Sequence, residues 1–301
     1  MSSTSSGTPF IALLEPTTLN WDKSLPASEQ PNPSAIPRTF FDAMTVRTEV
    51  FVKEQGVPQE NEFDDDDPRS AHWVIYASVN QTISPAVTDP ETGRVLRPRQ
   101  SETRSVPIGT LRLVPFPHPP HPKPGGEYWD GVLVNSEQDG AAANGNGNGT
   151  SGQTTADGKT TEQTPAFVPD RPTTYHDGIE PYVKLGRLAV LREFRGRGIA
   201  GQLIRTAIDW MRRHPTYFNP SPRDTGFERL GMEDPATTGT AASLPPIWNG
   251  LFCCHAQESA VKVYEKCGFK VDEKMGRWKE EGIWHVGMFL RVDVIPEQPE
   301  I

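Results

Sequence analysis

Cysteine is scarce in this chain: three occur among 301 residues, Cys253, Cys254 and Cys267. Adjacent cysteines rarely bridge each other and the three make no metal-ligand spacing, which excludes a disulfide scaffold and a structural zinc site and makes a reduced compartment the expectation. Long apolar runs are also missing. No segment reaches the roughly 18 residues that a membrane span needs, and the N-terminal MSSTSSGTPF lacks a basic region followed by an apolar stretch. Positive charge is short as well: 30 Lys and Arg against 39 Asp and Glu give a formal net charge of -9, which argues against a general polyanion binder. The expectation is a cytoplasmic protein, with the nucleus left open, that needs no metal and has neither membrane nor nucleic acid as a partner.

Glycine and proline, 26 and 30 residues, are plentiful and concentrated in a few stretches, as in a small ordered core carrying long insertions. One domain over residues 1–301 is expected, with disordered insertions at about 80–105, 135–177 and 216–246. The segment Asn135 to Pro165 has almost nothing apolar to bury and so cannot offset its ordering entropy. Between the insertions the pattern is regular. FIALL (Phe10 to Leu14) reads as a strand, and Phe40, Phe41, Met44, Arg47, Val50 and Phe51 recur at helical spacing after Pro37. HWVIYASV (His72 to Val79) and PIGTLRLVP (Pro107 to Pro115) read as partner strands with too long a connection for a tight hairpin. YVKLGRLAVL is a further strand; Ile199, Leu203, Ile204, Ala207, Ile208 and Met211 then mark a helix ending at His214-Pro215. IWNGLFCCHA is a strand, Gln257 to Cys267 a helix capped by Gly268, and Phe269 to Val292 a hairpin turning at Glu280-Glu281-Gly282. The fold class is α/β (α+β) around one mixed sheet.

The run Arg195-Gly196-Arg197-Gly198-Ile199-Ala200-Gly201 leads directly from a strand into a helix. Such a turn leaves first-turn N–H groups unpaired at the positive end of the helix dipole, and glycines let an anion approach the backbone. The surroundings agree, since Lys184 to Arg213 holds eight basic and two acidic residues in a negative protein. A P-loop would need Lys-Ser/Thr where Ile199-Ala200 stands; a Rossmann fingerprint would need an acid about 20 residues on; an RNA-binding RGG segment would repeat. A basic helix start with no ligand also fits. The acidic run Glu60, Glu62 and Asp64 to Asp67 reads as a solvated loop, with steering of a cationic amine as the functional alternative; the glycine and terminal glutamate of a calcium loop are missing.

Together with its surroundings the turn resembles motif A of the GNAT acetyltransferase superfamily, Q/R-x-x-G-x-G/A, filled by Arg195, Gly198 and Ala200 and preceded by Leu188, Ala189 and Val190. HAQESAVKVYEKCGF (His255 to Phe269) is similar to the family's second block. The resemblance extends to the branch typified by bacterial ElaA and YjcF, through VRTEVFVKEQGVP (Val46 to Pro58), His72, IGTLRL (Ile108 to Leu113) and EEGIWHVGM (Glu280 to Met288). It implies a GNAT fold, a mixed and mostly antiparallel central sheet flanked by helices on both faces and splayed to admit acetyl-CoA, and direct acetyl transfer to a primary amine of a small molecule. A protein or peptide acceptor, or a non-catalytic acyl-CoA-binding module, is the alternative. The resemblance further implies backbone anchoring of the CoA pyrophosphate by Arg195, Gly196, Arg197, Gly198, Ile199, Ala200 and Gly201, pantetheine pairing along Leu188 to Val190, and Tyr264 as general acid. The base is open: Lys184 stands where some members carry a glutamate, and His255 and His285 are candidates for base or substrate contact. Cys253 and Cys254 have no identifiable partner for nucleophilic catalysis. The terminal hairpin would offer an exposed edge for a homodimer.

Overall fold

The structure is a computed structural model and describes residues 10–136, 169–219 and 247–295. Strand β1 (Phe10–Leu14) is followed by short 3-10 turns and helix α1 (Arg38–Arg47), which continues as a π-helical turn over Thr48–Glu54. Next come β2 (Ala71–Ser84), β3 (Val87–Thr88), β4 (Val95–Arg97) and β5 (Gln100–Val114). Then follow β6 (Gly126–Trp129), β7 (Val132–Ser136), β8 (Val183–Val190) and α2 (Ile199–Arg213). The chain ends with β9 (Leu251–Gln257), α3 (Val261–Glu265), β10 (Lys270–Val271), β11 (Arg277–Glu280) and β12 (Ile283–Arg291). This is a mixed α/β fold whose strand pairings are mostly antiparallel. The described residues fall into two compact units: residues up to Val114 with Leu185–Ala207, and Pro115–Lys184 with Ile208 onward.

In the first unit the strands run β1-β2-β5-β8, with β2 antiparallel to both β1 and β5. Helix α1 forms because its apolar positions share one stripe. Phe40 and Met44 are fully buried against Trp21, Ala27 and Ile36, and each such side chain contributes about 1.5–3 kcal/mol. The end of α1 and the π-helical turn continue the packing, with Val46 and Val50 against Ala189 of β8. Gly109 of β5 is what lets β8 and the start of α2 come close: a Cβ there would lie 3.1 Å from the Ala189 carbonyl and 3.3 Å from Ile199.

The insertion expected at about 80–105 is a folded ribbon. β2 and β5 stay paired from Tyr76↔Pro107 out to Ser84↔Gln100, and β3 pairs with β4 beyond them around a turn in which Asp89 Oδ1 accepts from the Glu91 and Thr92 N–H groups. From Ser78 outward no described side chain is buried, so hydrophobic patterning gave no signal; ladder hydrogen bonds and an Asx turn order it instead.

In the second unit the order is β9-β12-β11-β6-β7, with β10 also on β12; β11 and β6 are parallel, and the β9–β12, β11–β12, β10–β12 and β6–β7 pairs are antiparallel. Tyr182, Leu251, Cys253, Met275, Trp278 and Phe289 form its core. The terminal hairpin turns at Glu281 and Gly282 (φ 50° and 76°), but it offers no dimer edge: β12 lies between β9 and β11, and the outermost strand is β7. Order also returns earlier than the composition suggests. Residues 169–177, inside the expected 135–177 insertion, are folded, with Thr173 and His176 buried and Asp272 accepting from the Thr174 and Tyr175 N–H groups. The rest of that insertion, 137–168, and 220–246 of the third lie outside the described residues.

Candidate active site

In the first unit, β8 passes through a 3-10 turn (Arg192–Phe194) into the turn that starts α2. Gly196 and Gly198 both adopt left-handed backbone, φ 76° and 79°, which side-chain-bearing residues enter at a cost of roughly 1–2 kcal/mol. No atom lies within 4 Å of where a Cβ on either would stand, so the backbone is open to a ligand at both. A helix beginning at Ile199 leaves the Ile199 and Ala200 N–H groups without intrahelical acceptors, at the positive end of its dipole. These residues fit a phosphate group. Arg195 braces the turn: its Nε donates to the Val190 carbonyl at 2.8 Å and its Nη2 to Glu54 on the π-helical turn at 2.7 Å. Arg197 lies over the Phe194 ring at 5.6 Å. Upstream, Ala189 and Val190 are buried, Leu188 is half-buried, and Arg187 takes φ 48° within the strand while Asp64 holds its guanidinium at 2.9 Å.

That contact belongs to a cluster which corrects the reading of the acidic run. Glu62 and Asp67 are not solvated; their side chains are 2% and 0% exposed, around an Arg47 at 1%. Arg47 Nε donates to Glu62 at 2.6 Å and Nη1 to Asp67 at 2.7 Å, while Arg112 Nη1 bonds Asp67 at 2.8 Å and Nη2 bonds Asp64 at 2.9 Å. Burial pushes the Asp67 carboxyl up, but Arg47 and Arg112 outweigh it and hold the group far below the usual range. His72 donates to the Asp67 carbonyl at 2.9 Å, and burial pulls its ring down to about 4. Glu62 and Asp67 therefore cannot steer a substrate. The signal was an arginine inside the apolar stripe of α1 and another inside the apolar strand IGTLRL: each needs a buried counter-charge.

In the second unit, Tyr264 of α3 is 3% exposed, edge-on to Phe269 at 5.4 Å. Burial, with Cys254 beside it, pushes its phenol well above the usual value, so it stays protonated at neutral pH. Along β9 successive side chains alternate, which sends Cys254 to the face carrying Tyr264 and His255 to the other. On that second face His255 Nδ1 lies 2.9 Å from Glu280 Oε1, and Trp278 Nε1 donates to the same oxygen at 2.7 Å. The His255 and Trp278 rings meet edge to face at 4.9 Å. Burial pulls His255 down against the pull of Glu280; for Glu280 burial is outweighed by His255, and the carboxyl sits well below its usual range. His285 shares this face, opposite Gln257 on β9 and Trp278 on β11, and its Nδ1 donates to the Ile283 carbonyl at 2.8 Å. The structure thus groups His255 with His285 and keeps Tyr264 apart from both.

Glu280 was missed: in sequence it is one of two glutamates in a hairpin turn, and only strand register turns it toward His255. Burial pushes the Cys253 and Cys254 thiols up, which leaves neither a thiolate nucleophile. Among the described residues no group of three or more His, Cys, Asp or Glu could hold a metal, and no helix is long and apolar enough to cross a membrane.

Residues 166–271, about a third of the chain, match the family model described as an acetyltransferase (GNAT) domain. Solved structures similar to the chain include Escherichia coli ElaA, 13% identical over 94% of this chain and 99% of that one, with a TM-score of 0.39. An acyl-CoA N-acyltransferase from Pseudomonas aeruginosa is 13% identical over 95% and 100%, with a TM-score of 0.36. A GNAT-family acetyltransferase from Streptococcus agalactiae is 12% identical over 94% and 96%, with a TM-score of 0.32. No curated protein sequence matches the chain.

Proposed function

We propose that this protein transfers an acetyl group from acetyl-CoA directly to a primary amine of a small molecule. The observation that carries the reading is the turn at Gly196 and Gly198, two left-handed glycines with open space where side chains would be, immediately before a helix start. The Arg195 N–H is taken by the Arg192 carbonyl at 3.3 Å, so the N–H groups of Gly196 to Ala200 are the ones that hold the pyrophosphate, and Leu188, Ala189 and Val190 pair with the pantetheine arm. Arg197 adds charge, while Arg195 keeps the turn in shape through Val190 and Glu54. When bound, acetyl-CoA supplies a thioester whose acetyl carbon can accept an amine nitrogen.

Two proton transfers are then required, one from the amine and one to the departing sulfur. Tyr264 serves the second, since its burial keeps the phenolic proton in place until a thiolate needs it. His255 serves the first. Release of CoA thiol, followed over a panel of alkylmonoamines, alkyldiamines and arylalkylamines, tests the proposal. Tyr264→Phe is expected to lower kcat by about 100-fold, the lower end of what a general acid contributes. Equal turnover of Tyr264→Phe and wild type with every amine would remove Tyr264 from the mechanism.

A further inference from the structure

We infer that Glu280 is the positioning residue that makes His255 the general base, a refinement that rests on the acetyl-transfer reading. The chemistry follows from partners. A carboxylate accepts but does not donate, so the 2.9 Å contact requires a hydrogen on His255 Nδ1. In a neutral imidazole the lone pair is then on Nε2. Glu280 is itself fixed, because Trp278 donates 2.7 Å to the same Oε1 and the indole stands edge-on to the His255 ring. Tautomer and ring orientation are both set by β11, a strand that touches neither end of β9 in sequence.

Exposure separates this pair from a structural one. The His255 side chain is 17% exposed and that of Glu280 34%, so neither is sealed in the core. The charged or titratable groups acting on His255 are Glu280 from β11, Lys184 from β8, His285 from β12 and His121 from the segment after β5. Glu280 raises its basicity; Lys184, His285 and burial lower it. In the step itself the acceptor enters as the neutral amine: as its nitrogen bonds to the acetyl carbon, one N–H bond breaks, its electron pair stays on nitrogen, and the proton goes to Nε2. The imidazolium so formed is stabilised by Glu280. The C–S bond then breaks with its pair on sulfur, the sulfur takes the Tyr264 proton, and solvent carries the imidazolium proton back to the phenolate.

The test uses the full chain and Glu280→Gln, which keeps an oxygen for Trp278 and removes the charge. The rising limb of the kcat/KM profile reports the base in its neutral form, so loss of the carboxylate, which lowers the His255 pKa, moves that limb to lower pH. Expected are a limb moved by roughly one unit, kcat down about tenfold through the weaker and less well oriented base, and a KM for acetyl-CoA within about twofold. Nitrogen-15 imidazole spectra of wild type at neutral pH are expected to show His255 protonated at Nδ1 and bare at Nε2. An Nε2-protonated ring in those spectra, or a Glu280→Gln profile that coincides with wild type while wild type turns over, would overturn the assignment and leave acetyl transfer standing. Wild type that binds acetyl-CoA and turns over no amine overturns acetyl transfer, and the base role with it.

Discussion

The cluster of Arg47, Glu62, Asp67 and Arg112 and the pair of His255 and Glu280 are both built from opposite charges brought together by strands and a helix, yet they are finished differently. In the first, Arg47, Glu62 and Asp67 are 1%, 2% and 0% exposed. Two arginines share the Asp67 carboxylate, and Glu62 and Asp67 sit on the Arg47 guanidinium. In the second, a single carboxylate meets a single imidazole and both remain open to water. A sealed cluster of arginines and carboxylates holds its charges fixed near neutral pH, whereas histidine is the side chain that titrates there. The difference assigns structure to the first and chemistry to the second.

Asp67→Asn breaks the comparison most strongly. It leaves buried guanidinium charge uncompensated, and a loss of about 3–5 kcal/mol in urea unfolding is expected. Glu280→Gln is expected to change stability by under about 1 kcal/mol, as for a partly exposed pair. Similar losses for both would erase the distinction. Acid sharpens it next. His72 has a folded value of about 4 against roughly 6.5 unfolded, so its contribution is complete above about pH 6.5 and is lost as pH falls toward 4. Asp67, held below its unfolded value of roughly 3.9, adds a loss that begins lower, as pH drops through that value toward its depressed folded one. The urea midpoint is therefore expected to decline from about pH 6.5 downward; a midpoint constant from pH 7 to 4.5 would contradict the burial of His72.

Strand and helix positions in the regular segments were legible because burial imposes period: FIALL is β1, YVKLGRLAVL contains β8, and the stripe from Ile199 to Met211 is α2. The glycine turn was legible because left-handed backbone and a helix start leave few residue choices. What escaped was order without burial and function through register. The ribbon from Ser84 to Gln100 buries none of its paired rungs, so no apolar alternation announced it. Residues 169–177 are held by aspartates that cap backbone N–H groups. Glu280 meets His255 only because β12 brings β11 and β9 onto its two sides, a relation between residues 25 apart that no local pattern contains.

The central claim is that the backbone at Gly196 and Gly198, more than the arginines around it, binds acetyl-CoA. Calorimetric titration of acetyl-CoA into wild type, Gly198→Asp and Arg197→Ala tests it directly. Gly198→Asp sets a carboxylate where the phosphates would bind and is expected to weaken binding by at least about 100-fold, the equivalent of one to two hydrogen bonds to a charged group. Arg197→Ala, which removes one exposed charge, is expected to weaken it by less than about tenfold. The reverse order, with Arg197→Ala abolishing binding and Gly198→Asp sparing it, would contradict the claim.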